Sequence, residues 1–96
     1  MIRVTCEPRR VVLEGHAGYA PKGSDIVCAA VSMLVYVQTR LLQEDEALEA
    51  LTAREGFVEL KLRRGVRCRV LETGLRWLSA EYPRCVQVEK EDWAGG

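Results

Sequence analysis

The sequence predicts an α+β domain in which two helices pack on a mostly antiparallel sheet of four to five strands, in the chain order β-β-α-β-β-α-β. Three patterns predict this class. A nearly unbroken apolar run extends from Ile26 to Val37 and is too long for a typical strand, so it indicates a helix. Apolar and charged residues alternate from Phe57 to Leu62, as in a half-buried strand. Apolar residues recur every three or four positions from Cys68 to Tyr82, which indicates a second, amphipathic helix.

The chain begins with two short strands. "MIRVTC" places Ile2 and Val4 on one side, and "RRVVLEG" follows after a break at Glu7-Pro8 that suits an antiparallel pair. The first helix then extends from about Asp25 to Gln43 and is apolar almost all round, so it must be covered on more than one side. Because a chain of 96 residues has little material for this cover, we expect a homodimer through the first helix.

The second half of the chain holds the remaining elements. After the acidic patch "QEDEALE", Leu48 and Leu51 fit a continued helix, whereas Glu55-Gly56 is typical of a hairpin turn, so the segment before the turn has two interpretations. The alternating segment that follows is a strand, and Pro83 ends the second helix. "RCVQVE" predicts the last strand, and we expect the tail "KEDWAGG" to fray.

Composition limits the class of protein. A chain of 96 residues predicts one domain over positions 1–96. Fourteen basic and fourteen acidic side chains give a formal net charge of zero, so we do not expect direct nucleic-acid binding to be the main function. The N-terminus lacks the apolar segment of a signal peptide, and no stretch approaches the ~20 apolar residues of a membrane span. We therefore expect a cytoplasmic protein that binds a protein or peptide and no membrane.

The cysteines predict neither a disulfide framework nor a metal centre. Cys6, Cys28, Cys68 and Cys85 lie far apart, and no two have the C-x-x-C spacing. Disulfides are also rare in the reducing cytoplasm. A zinc site would need ligands collected from scattered thiols and one histidine. We expect no metal and no cofactor.

The stretch "EGHAGYAPKGSDIVCAAVS", residues 14–32, joins a glycine-rich loop to the apolar helix and contains the only histidine. If Asp25 is the N-cap, Cys28 is the third helical residue, where free backbone N–H groups and the helix dipole favour a thiolate. The loop is long enough to bring His16 beside that sulfur. The residue types alone also fit a buried core cysteine and a solvated histidine, so a nucleophile–base pair is one of two interpretations.

"GHAGYA", a short gap and "GSDIVCAAVS" resemble the signature of the ribosomal-processing cysteine protease (Prp, YsxB-like) family of small bacterial proteins. The resemblance implies a single cysteine-protease domain over residues 1–96 and a cytoplasmic, homodimeric endopeptidase. Such an enzyme removes the N-terminal extension of a large-subunit ribosomal protein during ribosome maturation. The resemblance also implies that His16 and Cys28 form the catalytic pair and that residues 47–53 form a strand.

Other residues of this stretch are candidates for supporting roles. Asp25 either caps the helix or orients His16 as the third member of a triad. Ser32 lies one turn beyond Cys28 and either hydrogen-bonds near the site or bonds to its own backbone. The loop before the helix either closes over a peptide substrate or is an ordinary solvent loop. Its candidate residues are Gly15, Gly18, Tyr19 and Gly23.

A second function class is a non-catalytic module that binds the ribosome or RNA. Residues 61–69 support it, because five basic side chains lie within nine positions: Lys61, Arg63, Arg64, Arg67 and Arg69. No aromatic residue is interleaved with them for base stacking, so this class ranks below the protease. A redox protein ranks third, because no resolving cysteine lies near another in the sequence.

Overall fold

The computed structural model describes residues 1–93, and its elements follow the expected order. The elements are β1 (Ile2–Glu7), β2 (Arg10–Glu14), α1 (Ile26–Glu44), β3 (Leu48–Arg54), β4 (Phe57–Leu62), α2 (Arg69–Glu81) and β5 (Val86–Glu91). The predicted α+β class is therefore confirmed, with five strands. The first helix begins and ends one residue later than expected, with Asp25 as its N-cap.

The strands form one sheet in the order β3-β4-β2-β1-β5. The pairs β1–β2, β2–β4 and β3–β4 are antiparallel, and only β1–β5 is parallel, so the sheet is mostly antiparallel. Val11 pairs with Leu60 and Leu13 with Val58, so alternate residues of these strands point to one face. That face forms a core with the two helices, and its most deeply buried side chains include Val4, Val11, Val27, Leu60, Cys68, Leu71, Leu75 and Val86.

The segment after α1 is a strand and does not continue the helix. Glu46 has a φ of 53°, in the left-handed region, which a continuing helix does not allow. The N–H of Ala47 donates to the carbonyl of Leu42 at 2.8 Å and closes the helix end. β3 then pairs with β4 across the turn at Glu55-Gly56. The helical interpretation of this segment is wrong, and the strand implied by the resemblance is confirmed.

A buried amide connects the two helices. The buried face of α1 carries Val27, Val31, Val35, Gln38 and Leu42. The Oε1 of Gln38 accepts from the backbone N–H groups of Val70 (2.9 Å) and Leu71 (3.2 Å), at the start of α2. Such N–H groups have no partner within their own helix, and the N-cap residue of α2 provides no side-chain bond. Gln38 therefore satisfies the N-terminus of α2 and holds α1 against it.

The opposite face of α1 leaves large apolar side chains exposed. We name the apolar stripe from its four members on this face, which are Ile26, Met33, Val37 and Leu41. Contrary to the expectation from sequence, α1 is long and apolar enough to cross a membrane by length and composition. Because its other face packs into the core of this domain, the same composition also fits a core helix.

The C-terminal segment packs against the rest of the domain through Trp93. β5 includes Lys90 and Glu91, and the N–H of Asp92 donates to the carbonyl of Cys6 at 3.1 Å. Trp93 is only 4% exposed, and its indole N–H donates to Glu91 at 3.0 Å. The expected fraying is therefore wrong for residues 90–93, because the tryptophan side chain is buried in the core. The rest of the predicted tail, residues 94–96, lies outside the described residues.

Candidate active site

Asp25 joins the start of α1 to the preceding loop. Its Oδ1 accepts from the backbone N–H groups of Val27 (3.0 Å) and Cys28 (2.9 Å), which is a helix cap. Its Oδ2 accepts from the N–H groups of Tyr19 (3.0 Å) and Ala20 (3.4 Å). The bond from Cys28, and then the bonds from the loop and from Val27, hold the pKa of Asp25 below its usual range. Both oxygens of Asp25 thus accept from backbone N–H groups. Of the two roles considered, helix cap and orientation of His16, this geometry fits the cap.

Cys28 is the third residue of α1, at the positive end of the helix dipole. The side chain is partly buried, and its Sγ accepts from the backbone N–H of Ala17 at 3.2 Å. Ala17 directly follows His16, so the loop brings the backbone of the histidine next to the cysteine sulfur. The sulfur therefore lies at the N-terminus of a helix and accepts a backbone hydrogen bond from the loop.

His16 lies beside the β3–β4 turn. A Cβ atom placed on Gly56 would lie 3.1 Å from Nε2 of the imidazole, so the ring is in close contact with the turn backbone. The backbone N–H of Gly15 donates to the carbonyl of Gly56 at 2.9 Å and fixes the residue before the histidine. The ring is exposed, and it lines the same cleft as Cys28. The structure thus brings the two predicted catalytic residues to one cleft.

The cleft has a volume of about 460 Å³ and lies between α1 and the β3–β4 hairpin. The wall formed by α1 presents Cys28, Ser32 and Tyr36, which follow one another at single helical turns. Ser32 therefore shares the cleft with Cys28, as the spacing predicted. The floor of the cleft is apolar and includes Leu51, Ala53 and Val58. Such a groove is open to an extended chain that passes the sulfur.

Sequence reasoning missed the floor of the cleft. Leu51 and Ala53 alternate along β3 and so share one face, which is a strand signal. That signal is obscured in the sequence because Leu48 and Leu51 also fit a continued helix. Leu51 is 44% exposed in the cleft.

The four glycine-loop candidates divide into two groups. Gly15 lines the cleft together with His16, whereas Gly18, Tyr19 and Gly23 do not. The Tyr19 ring instead packs edge-on against Tyr82, with 5.6 Å between ring centroids. The N–H groups of Tyr19 and Ala20 are bonded to Asp25, so the middle of the loop is fixed to the start of α1.

The remaining cysteines are buried and unpaired. Burial raises the pKa of Cys6 to about 12 and that of Cys68 to about 11, so both remain thiols near neutral pH. Cys85 is also buried, which leaves Cys28 as the thiol with access to the cleft. Within residues 1–93, no three His, Cys, Asp or Glu side chains are grouped in a way that suits a metal ion.

The basic segment at residues 61–69 takes no part in the cleft. It begins where β4 ends, whereas the cleft lies near the turn where β4 begins. Arg67 donates to both carboxylate oxygens of the buried Glu72, at 2.9 and 2.8 Å. This guanidinium is the main reason that the pKa of Glu72 is held below its usual range. At least one of the five basic residues therefore has a structural role.

The profile of the family described as Cysteine protease Prp matches residues 1–87. The chain belongs to this family. The resemblance first seen within residues 15–32 is therefore confirmed over most of the chain. Membership of the Prp family also establishes the enzyme class, a cysteine protease.

Individual relatives agree with this membership. The chain is 30% identical over 98 residues to the ribosomal processing cysteine protease Prp of Mycoplasma pneumoniae, covering 95% of this chain and 96% of the relative. Its fold is similar to that of the ribosomal processing protease Prp from S. aureus in complex with a covalently linked product peptide. That match has a TM-score of 0.75 and 19% identity, and covers 95% of this chain and 100% of the other. The fold is also similar to that of SMU.848 from Streptococcus mutans. That match has a TM-score of 0.73 and 24% identity, and covers 94% of this chain and 93% of the other.

Proposed function

We propose that the protein is a cysteine endopeptidase that removes the N-terminal extension of a large-subunit ribosomal protein during ribosome maturation. Cys28 is the nucleophile and His16 is the acid–base group. The observation that supports these roles most is the position of the Cys28 sulfur, at a helix N-terminus, under a backbone N–H and in one cleft with the only imidazole. We also propose that the protein acts in the cytoplasm, because ribosomes assemble there.

The chemistry follows from these two groups. The Cys28 thiolate attacks the scissile carbonyl carbon, and the carbonyl electron pair moves to oxygen. As the tetrahedral intermediate collapses, the C–N bond breaks and the His16 imidazolium gives its proton to the leaving amine. Neutral His16 then takes a proton from water as the water attacks the thioester. Collapse of the second intermediate releases the peptide acid and restores the thiolate–imidazolium pair.

The cleft suits an extended peptide with apolar side chains. Its floor offers Leu51, Ala53 and Val58 to side chains, while Ser32 and Tyr36 place hydroxyl groups along the wall. The name of the Mycoplasma pneumoniae relative supports a ribosomal substrate, and the S. aureus structure holds a peptide bound covalently. These comparisons support the choice of a peptide bond in a ribosomal protein as the target.

The direct test is incubation of the purified protein with the extended ribosomal protein, followed by mass analysis of its N-terminus. We expect one defined cut, which Cys28→Ala abolishes while the circular dichroism spectrum stays unchanged. Cys85→Ala is the matched control, because it removes a thiol outside the cleft and should leave most activity. Cleavage at the same bond by Cys28→Ala would exclude the mechanism.

A second test follows the reactivity of Cys28 towards iodoacetamide against pH, with and without a non-cleavable peptide. We expect faster alkylation at neutral pH than for an ordinary exposed thiol, and a shift to higher pH in His16→Ala. The peptide arm is needed because substrate binding can complete the pair. An unchanged profile in both states, with cleavage intact, would show that the two residues are not a unit.

We also propose that the protein forms a homodimer through the apolar stripe of α1. Its members follow the face at intervals of seven, four and four residues, and each is at least 40% exposed. Trp77 of α2 is also 60% exposed. A second copy would cover side chains that a lone domain leaves in water.

Sedimentation velocity at micromolar concentration tests this proposal. The wild-type protein should sediment as a dimer, and Met33→Glu as a folded monomer, because Met33 is 60% exposed and its replacement leaves the core intact. Gln43→Glu is the matched control, since Gln43 is an exposed residue of α1 outside the stripe. A wild-type protein that is monomeric and active would exclude the dimer.

A further inference from the structure

His16 has no hydrogen-bonded partner among residues 1–93 that would orient its ring. Asp25, the acidic residue considered for that role, uses both carboxylate oxygens on four backbone N–H groups. If Asp25 turned to bond the imidazole, it would lose these backbone bonds, and the N-terminus of α1 would lose its cap. Any carboxylate that orients His16 therefore comes from another element.

The β3–β4 turn contacts the imidazole directly. Gly56 has a φ of +72°, and its Cα hydrogen side faces Nε2 so closely that a Cβ would lie 3.1 Å away. Its carbonyl accepts from the N–H of Gly15, the residue before the histidine. The turn thus holds both the backbone before His16 and the ring itself.

The residue before Gly56 carries a carboxylate at the same end of the cleft. Glu55 lines the cleft with His16, and it is close enough for the imidazolium charge to contribute to the lowered pKa of Glu55, after the larger effect of Lys22. The Lys22 ammonium pairs with Oε1 of Glu55 at 2.6 Å, and the two side chains are 86% and 68% exposed. An exposed pair of this kind contributes little and exchanges readily, so the carboxylate is available to a second cation.

We propose that the Glu55–Gly56 turn is the positioning element for His16, with Glu55 as the carboxylate that stabilises the imidazolium and Gly56 as the contact that sets the ring. This proposal rests on the proposed function, in which His16 carries the proton. Glu55 stays ionised throughout: the proton passes between the imidazole, the leaving amine and water, and the carboxylate only holds the charged ring. Glu55 is a positioning residue because it acts on substrate through His16.

The charge contribution is measurable because the chain has one histidine, whose Cε1–H NMR signal is therefore unique. The other titratable or charged groups around the cleft end are Cys28, Arg54 and Lys22. In Glu55→Gln we expect the midpoint of the His16 NMR titration to move to lower pH, because a carboxylate beside the imidazolium favours its charged form. The alkaline limb of kcat/KM should move down by the same amount, and kcat should fall about three- to fivefold. Glu55→Asp should restore part of each effect.

Lys22→Gln distinguishes a positioning role of Glu55 from a purely structural role of the Lys22–Glu55 ion pair. If only the ion pair mattered, removal of either partner would have the same effect, so Lys22→Gln would reproduce the losses of Glu55→Gln. If Glu55 acts on His16, removal of Lys22 leaves kcat within about twofold of wild type and does not lower the His16 midpoint. Equal losses in the two variants would overturn the proposal, as would an unchanged midpoint in Glu55→Gln.

The ring contact has its own matched pair of variants. Gly56→Ala and Gly65→Ala both place a side chain at a positive φ, +72° and +80°, but only the first Cβ meets another group. Both should lose similar stability from backbone strain. Only Gly56→Ala should also shift the His16 signal in the folded protein and lower kcat. Equal kcat in both folded variants would contradict the role of Gly56 in positioning the ring.

These measurements separate this proposal from the proposed function. If wild type makes no cut in the ribosomal protein, the proposed function fails, whatever the NMR titrations give. If wild type cuts while Glu55→Gln keeps the wild-type midpoint and pH profile, the positioning role fails and the protease assignment stands.

Discussion

Gly15 is held at the junction between the hairpin and the loop by contacts that leave no room for a side chain. Its φ is +99°, and a Cβ would lie 2.2 Å from the carbonyl oxygen of Met1. The N–H of Gly15 is bonded to Gly56 at 2.9 Å, so the residue cannot move away without loss of that bond. Because the obstructing atom is backbone at the start of β1, we expect Gly15→Ala to be strongly destabilising.

The size of the effect has two parts. A non-glycine residue in such a strained backbone conformation costs about 1–3 kcal/mol. Overpacking against a group that cannot rotate away costs typically about 1–3 kcal/mol more. The free energy of unfolding should therefore fall by about 2–6 kcal/mol, and for a domain of this size the Tm should fall by at least ~8 °C.

Thermal unfolding followed by circular dichroism measures this loss, with Gly18→Ala as the matched control. Gly18 lies in the same loop at a φ of +71°, and a Cβ there would meet nothing within 4 Å. Its alanine variant should lose only the backbone part, about 1–3 kcal/mol. If the two variants melt at the same temperature, the close approach of Gly15 to the first residue of the chain is not a real constraint.

Three further outcomes test the fold around the site. Glu72→Gln should lose about 1–3 kcal/mol at pH 7. Because the pKa of Glu72 is lowered by folding, this stabilisation exists above the unfolded value of about 4.3 and is lost as pH falls through the folded value. Urea unfolding should therefore show a difference in stability between wild type and Glu72→Gln at pH 7 that is smaller at pH 3. Cys6 and Cys68, with pKa values raised to about 12 and 11, should not react with Ellman's reagent at pH 8 until the protein is unfolded; rapid reaction of either in the native state would contradict their burial. Trp93→Ala should cost about 3–5 kcal/mol in urea unfolding, whereas no loss would show that Trp93 does not contribute to the core.

The sequence was sufficient where a local pattern determines the structure. The first helix was predicted to within one residue at each end, because a long apolar run and an acidic N-cap are properties of consecutive residues. The alternation from Phe57 to Leu62 likewise predicted β4. The pairing of His16 with Cys28 in one cleft was predicted from the short motif at residues 15–32, and their catalytic roles remain a proposal.

Only the tertiary structure decided the features that depend on contacts between distant segments. The spacing of three between Leu48 and Leu51 fits a helix, whereas pairing with β4, with a register shift between Leu48 and Ala50, makes this segment a strand. Trp93 was expected to fray and is buried, because its partners come from residues far back in the chain. Sequence spacing likewise offered no sign that Glu55 and Gly56 lie beside His16. Periodicity reports which face of an element is apolar, but the choice of neighbour depends on the shape and burial of surfaces that exist only once the whole sheet has formed.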